Sequence, residues 1–169
     1  MAARWGDVVA MKTFTISGLL KQGGWSVARS GDGSPDFFFL RFRTPVLMPA
    51  EVESHPTRLS ILWPFADEDS GAVPDPEALE AMTVFEDRIC AAFESDSLAV
   101  LTAVLTFDGA RQWLFYTRDL NECGRRLHTM PQEPEPYPIE LVAEPDPGWS
   151  YLRDEFLGVV DPSCWNEGR

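Results

Sequence analysis

LAVLTAVLTFDGARQWLFYT, Leu98 to Thr117, decides the fold. Its first half alternates large and small apolar residues and carries Val and Thr, which suit a pleated, half-buried surface. Asp108-Gly109 supplies two residues that tolerate positive φ, the requirement of a two-residue hairpin turn. ARQWLFYT then returns as the partner strand.

Outward from this hairpin the pattern repeats on both sides. Upstream, RLSILWPF sets Leu59, Ile61, Trp63 and Phe65 in alternation with Arg58, Ser60 and Leu62, a strand. Between that strand and the hairpin, Asp75-Pro76-Glu77 combines a capping side chain, a pre-set φ and an early acid. Leu79, Met82, Ile89 and Phe93 follow at helical spacing, so a helix is predicted from Pro76 to Glu94. Downstream, Asp119 or Asn121 caps a short helix bearing Leu120, Cys123, Leu127 and Met130, which PQEPEPYP ends. IELVAEP is the last strand, and Trp149 to Leu157 reads as a closing helix. Strand, helix, strand, strand, helix, strand is the split βαβ order of a ferredoxin-like sheet with helices on one face, so an α+β class is expected.

An added hairpin precedes this unit. Gly24 to Arg29 (GWSVAR) and Phe37 to Arg43 (FFFLRFR) flank the loop SGDGSPD, and Phe38, Leu40 and Phe42 share a core face. Phe37, Phe39, Arg41 and Arg43 share the other, half-wet face. Residues 1–12 are expected to be a mobile extension, residues 13–158 one domain, and residues 159–169 a tail.

The chain of 169 residues carries 27 acidic and 14 basic side chains, a formal charge of −13. Such a surface repels phosphate backbones, so direct nucleic-acid binding is not expected. No apolar run reaches the roughly 18 residues of a membrane span or has the look of a signal peptide, so a cytoplasmic protein is expected. Three widely spaced cysteines, Cys90, Cys123 and Cys164, suggest neither a disulfide framework nor a zinc site.

Chemistry-bearing constellations are scarce. His55, in the loop sequence HPT, and His128, after two arginines, read as surface residues. Glu86 and Asp87 are adjacent on a helix, point apart, and read as solvated. The acidic loop Asp67-Glu68-Asp69-Ser70-Gly71 lacks the spacing of a calcium loop. No nucleophile with its base, metal site or cofactor motif emerges, so a non-enzymatic protein without cofactor is the expectation.

Three blocks occur together, DPEALEAMTVFEDRI, LTFDGARQWLFYTRD and AEPDPGWSYLRDEF. With Gly24-Trp25-Ser26-Val27 ahead of them, the stretch from Gly24 to Leu157 resembles the bacterial domain of unknown function family 695 (DUF 695). That family is similar in turn to the regulator of ribonuclease E activity B group. The resemblance implies a ferredoxin-like α+β domain with no known active site or cofactor. Its ribonuclease-regulator side implies action by binding and inhibiting a protein, as a class of action only.

The first functional expectation is therefore a binding or regulatory domain that meets a protein partner, of the inhibitor or immunity-protein type. The acidic surface suits a basic partner, and the chain would be a monomer or weak homodimer. Arg118, Trp149, Tyr151 and Arg153 are its candidate contact residues, since exposed Trp, Tyr and Arg supply interface hot spots. The alternative for Asp146 to Phe156 is structural: Asp146 caps, and Trp149, Leu152 and Phe156 dock a C-terminal helix. A second functional expectation is a small-molecule-binding domain or weak enzyme with a cleft on the open sheet face, lined by Arg41, Arg43, Trp113 and Phe115.

Overall fold

A computed structural model describes residues 14–30, 37–67 and 73–159. The expected extension at residues 1–12, most of the acidic loop, Cys164 and nearly all of the expected tail lie outside the described residues. The elements are α1 (Ile16–Gln22), β1 (Gly24–Arg29), β2 (Phe38–Thr44), a 3-10 turn (Pro49–Glu51), β3 (Thr57–Pro64), α2 (Pro76–Glu94), β4 (Ala99–Phe107), β5 (Ala110–Thr117), α3 (Leu120–Thr129) and β6 (Glu140–Pro145). A π-helical turn (Leu152–Phe156) and a 3-10 turn (Leu157–Val159) follow.

The six strands form one antiparallel sheet in the order β1-β2-β4-β5-β3-β6. The class is α+β, as expected, and β3 to β6 interleave with α2 and α3 in the chain order read from the sequence. Asp108 and Gly109 both have positive φ, 54° and 75°, at the turn between β4 and β5. Gly109 is needed for space as well as φ, because a Cβ there would sit 2.6 Å from the Ala66 carbonyl oxygen. Its own carbonyl accepts the amides of Phe65 and Ala66, at 2.8 and 3.1 Å, which ties the end of β3 to the turn.

Asp75 caps α2 by accepting the Ala78 amide at 2.8 Å, and Asp119, not Asn121, caps α3 through the Glu122 amide at 3.0 Å. The buried stripe of α2 is Met82, Phe85, Ile89 and Phe93. Leu79 is exposed instead. This stripe packs with Leu59, Ile61, Trp63, Leu101, Val104, Trp113 and Phe115 into one core.

The opposite face is not open. Ile16 and Leu19 of α1, Leu47 and Val52 of the connection to β3, and Trp149, Leu152, Phe156 and Leu157 cover Leu40, Phe42, Val100, Ala103, Leu114 and Tyr116. A bulge between Leu101 and Ala103 shifts the alternation of β4 by one residue. It lets Val100 and Ala103 face one core while Leu101 and Val104 face the other. The intervening Thr102 turns its hydroxyl to the Leu114 carbonyl, at 2.8 Å.

The closing helix departs from its expected form. Trp149 sits in the left-handed region, φ 56°, so the helix begins only at Ser150 and soon widens into the π-helical turn. Trp149, Leu152 and Phe156 are all buried, as the docking alternative requires. Among the described residues no helix is long and apolar enough to cross a membrane.

Candidate functional site

Two clefts lie on opposite faces of the sheet, and each is lined by one of the candidate residues, Tyr151 in the first and Arg41 in the second. The first lies where the C-terminal turn crosses β3 and β6. Asp146, at the end of β6, is buried and accepts from the Tyr116 hydroxyl (2.7 Å), the Ser150 amide and hydroxyl (both 2.9 Å) and the Tyr151 amide (3.0 Å). Burial by itself would raise its pKa, but these donors hold the carboxylate below its ordinary value. Tyr116 is pushed upward, by burial first and by its bond to Asp146 second. The pair is thus a neutral phenol donating to a fixed carboxylate, which anchors the turn.

Above this anchor the Arg58 guanidinium lies over the Tyr151 ring, 3.7 Å from its centroid, and pairs with Glu144. Arg58, Glu144, Asp146, Ser150, Tyr151, Asp154 and Glu155 line a cleft of about 250 Å³. Asp154 and Glu155 are exposed on its rim, with no partner among the described residues. Glu140, Val142 and Glu144 stand opposite Leu62, Ser60 and Arg58 in the register of β6 with β3, so they share the cleft's side of the sheet. Every residue of β6 is exposed, and it is the outermost strand.

The expected contact residues divide around this cleft. Tyr151 lines it, half exposed. Trp149 does not belong to an exposed patch: it is 1% exposed, stacked on Tyr116 with centroids 4.4 Å apart, and donates its indole N–H to the His55 carbonyl at 2.8 Å. Arg153 folds back onto the Gly148 carbonyl. Arg118 lies elsewhere, exposed, donating to the Ser97 carbonyl and pairing with Asp96 at 3.6 Å.

His55 is a correction to its expected surface position. It is 4% exposed, with Nε2 2.7 Å from the Ser97 carbonyl oxygen and Nδ1 2.8 Å from the Ser54 hydroxyl. Burial lowers its pKa, so a neutral ring donates from Nε2 and accepts at Nδ1.

The second cleft lies between α2 and strands β2, β4 and β5. Arg41, Arg43 and Trp113 gather here, on the helix-covered face and not on an open one. Trp113 and Phe115 are fully buried beneath α2, Phe115 edge-on to Phe93, so neither is free to line a cleft. Trp25 packs against both Arg41 and Arg43, 4.6 and 4.7 Å from its ring centroid. Arg43 is consumed structurally, donating to the Leu101 carbonyl at 2.7 Å and to both oxygens of Glu94. Glu86 is not solvated: one oxygen pairs with Arg41 and the other accepts the Trp113 indole N–H at 2.8 Å.

Phe39, Arg41, Thr83, Glu86, Val104, Thr106 and Arg111 line this cleft, of about 270 Å³. Arg111 was missed from sequence. Its Nε donates to Thr106 Oγ1 at 3.0 Å, and no carboxylate pairs with it among the described residues. The available signal was its spacing, since Arg111, Trp113 and Phe115 alternate along β5 and share the face that α2 covers.

The residues lining the two clefts include no His, Cys or Lys, and the Ser150 hydroxyl of the first is donated to Asp146, a carboxylate already fixed by the Tyr116 hydroxyl and the Ser150 and Tyr151 amides. Among the described residues no group of three or more His, Cys, Asp or Glu is arranged to hold a metal ion. Cys90 and Cys123 are free thiols, and burial raises the pKa of both.

No curated protein and no solved structure matches the chain. One family model does match, over residues 24–157, the stretch that runs from β1 through the π-helical turn and holds both clefts. The chain belongs to that family, described as a family of unknown function (DUF695).

Proposed function

We propose that this protein is a non-catalytic binding domain that engages a basic, extended segment of a protein partner along the outer edge of β6. The observation that carries this reading is the exposure of every residue of an outermost strand beside an acidic cleft. Among the described residues no strand lies outside β6, so its outer backbone groups can pair with an added strand. On the cleft side, Glu140, Val142 and Glu144 alternate along β6, and Asp154 and Glu155 close the far end. A partner strand therefore meets Glu140 and Glu144 on either side of Val142, with Glu144 also paired to Arg58, and then the acidic rim, which favours lysine and arginine. The net charge of −13 speeds the encounter and makes it dependent on ionic strength.

Inhibitory or immunity-type action, the class implied by the resemblance to the ribonuclease-regulator group, follows if the captured segment is one its owner needs. The test is titration calorimetry with an extended lysine- and valine-containing peptide, and with a glutamate-containing peptide of equal length. The basic peptide is expected to bind, to weaken as salt is raised, and to weaken further in the double variant Asp154→Asn with Glu155→Gln. Equal binding of both peptides, or no response to the double variant, overturns the reading.

A further inference from the structure

The α2 cleft lies on the other face of the sheet and does not depend on the β6 edge. Its charges do not balance. Arg41 and Arg111 contribute two guanidinium groups, and Glu86 is the only carboxylate among the cleft residues. Both Glu86 oxygens are occupied, one by Arg41 and one by the Trp113 indole. Arg111 is half-buried on β5, its Nε committed to Thr106, with its two terminal nitrogens free of any carboxylate among the described residues. A guanidinium removed from water and left unneutralised is unfavourable unless an anion joins it. Burial is also the main force that lowers the Arg111 pKa; the negative charge of Glu86 opposes it without overcoming it, and the positive charge of Arg41 adds to it.

The rest of the cleft is arranged to receive such an anion. Arg41 is held in place between Glu86 and the face of Trp25, so its fork is fixed in advance. The buried Thr106 hydroxyl on β4, which accepts from Arg111 Nε, keeps its own proton to donate, whereas the Thr83 hydroxyl on α2 is donated to the Leu79 carbonyl, and Phe39 and Val104 supply apolar lining. We propose that this cleft binds a small organic carboxylate, its charged group held by Arg111 and Arg41 and its apolar body resting on Phe39. Two cations against one carboxylate leave room for a single negative charge. Phosphate, more highly charged, would bring its second charge against Glu86 and is the poorer ligand. The volume, about 270 Å³, admits a fragment of benzoate size and excludes a dinucleotide.

The experiment titrates the full chain with benzoate, with neutral benzamide and with inorganic phosphate, following the Trp113 indole N–H in a nitrogen–proton correlation spectrum. That signal is assigned by its loss in Trp113→Phe. Benzoate is expected to shift it in a saturable way, benzamide to leave it in place, and phosphate to bind more weakly than benzoate. Arg111→Gln is expected to weaken benzoate about ten- to a hundredfold, the loss of a charge-assisted hydrogen bond. Arg111→Lys, which keeps the charge without the fork, should lose less. Both variants are checked for native circular dichroism, and both retain binding of the basic peptide at β6, which separates this site from that edge. Three results overturn the proposal: no saturable shift with benzoate, phosphate binding tighter than benzoate, or benzoate binding unchanged in folded Arg111→Gln.

Discussion

Replacing Trp149 tests whether the C-terminal turn is part of the core, and three substitutions should fall in a definite order. Trp149→Phe keeps an aromatic ring against Tyr116 but removes the N–H that satisfies the buried His55 carbonyl. An acceptor left unpaired costs about 1–3 kcal/mol. Trp149→Ala removes the ring as well, and deletion of a buried Trp costs about 3–5 kcal/mol. Against a total stability of about 5–15 kcal/mol this is a large fraction. Trp149→Gly would ordinarily be worse than alanine, because glycine gains more freedom on unfolding. At φ 56° the order reverses, since alanine retains the left-handed strain of about 1–2 kcal/mol and glycine does not. The expected stability order is wild type, Phe, Gly, Ala, read from urea unfolding followed by far-ultraviolet circular dichroism. Alanine within about 1 kcal/mol of wild type would show that the turn does not dock, because no buried Trp is lost so cheaply. Glycine falling below alanine would show that residue 149 does not hold the left-handed conformation.

Gly109→Ala should cost more than the roughly 1–2 kcal/mol of left-handed strain, because the new Cβ meets two backbone carbonyl oxygens, 2.6 and 2.7 Å away; a urea midpoint unchanged from wild type would contradict the close approach. His55 sets a pH dependence with a defined sign. Its folded pKa lies below the ordinary 6.5, so as pH falls through that value the unfolded chain takes a proton that the folded chain refuses, and stability declines. His55→Gln removes this contribution, so its midpoint should change less between neutral and mildly acidic pH than that of wild type; parallel profiles would refute the assignment. Tyr116→Phe leaves Asp146 one donor short, and is expected to cost about 1–3 kcal/mol and to raise the Asp146 pKa toward the carboxylate norm, measurable by carbon-detected titration.

The elements that could be read in advance are those whose signals are local. Asp108-Gly109 needs positive φ wherever it occurs between two apolar runs, and Asp75-Pro76-Glu77 starts a helix by chemistry contained in three residues. What stayed hidden depends on distant partners. α1 is seven residues with Gly18 inside it, a weak helix former on its own, and it exists because Ile16 and Leu19 have a sheet face to cover. The bulge at Thr102 leaves no trace in an alternating pattern, yet it decides which residues after Leu101 face which core. His55 sits among Pro56, Ser54 and Glu53, as a surface loop residue would, and its burial comes from the Ser97 carbonyl 42 residues away. Glu86 looked solvated because its two partners, Arg41 and Trp113, arrive from other strands. In the candidate sites the residue types were visible but not their sidedness, and Arg43, Trp113 and Phe115 went to structure instead of to a ligand.

The charge layout bears on which partner is proposed for β6. A second copy of the chain is an obvious candidate for an open strand, but two-fold antiparallel pairing centred on Val142 would set Glu140 of each copy against Glu144 of the other. Like charges directly opposite across strands are destabilising, and carboxylates with a proline on an edge strand are devices against edge-to-edge association. Pro145 ends the strand and Arg58 neutralises only Glu144. Such an edge disfavours its own kind, and no strand among the described residues takes up its outer backbone groups. An edge whose charges disfavour self-pairing is better suited to a chain of opposite charge, and the acidic rim at Asp154 and Glu155 extends that preference past the end of the strand.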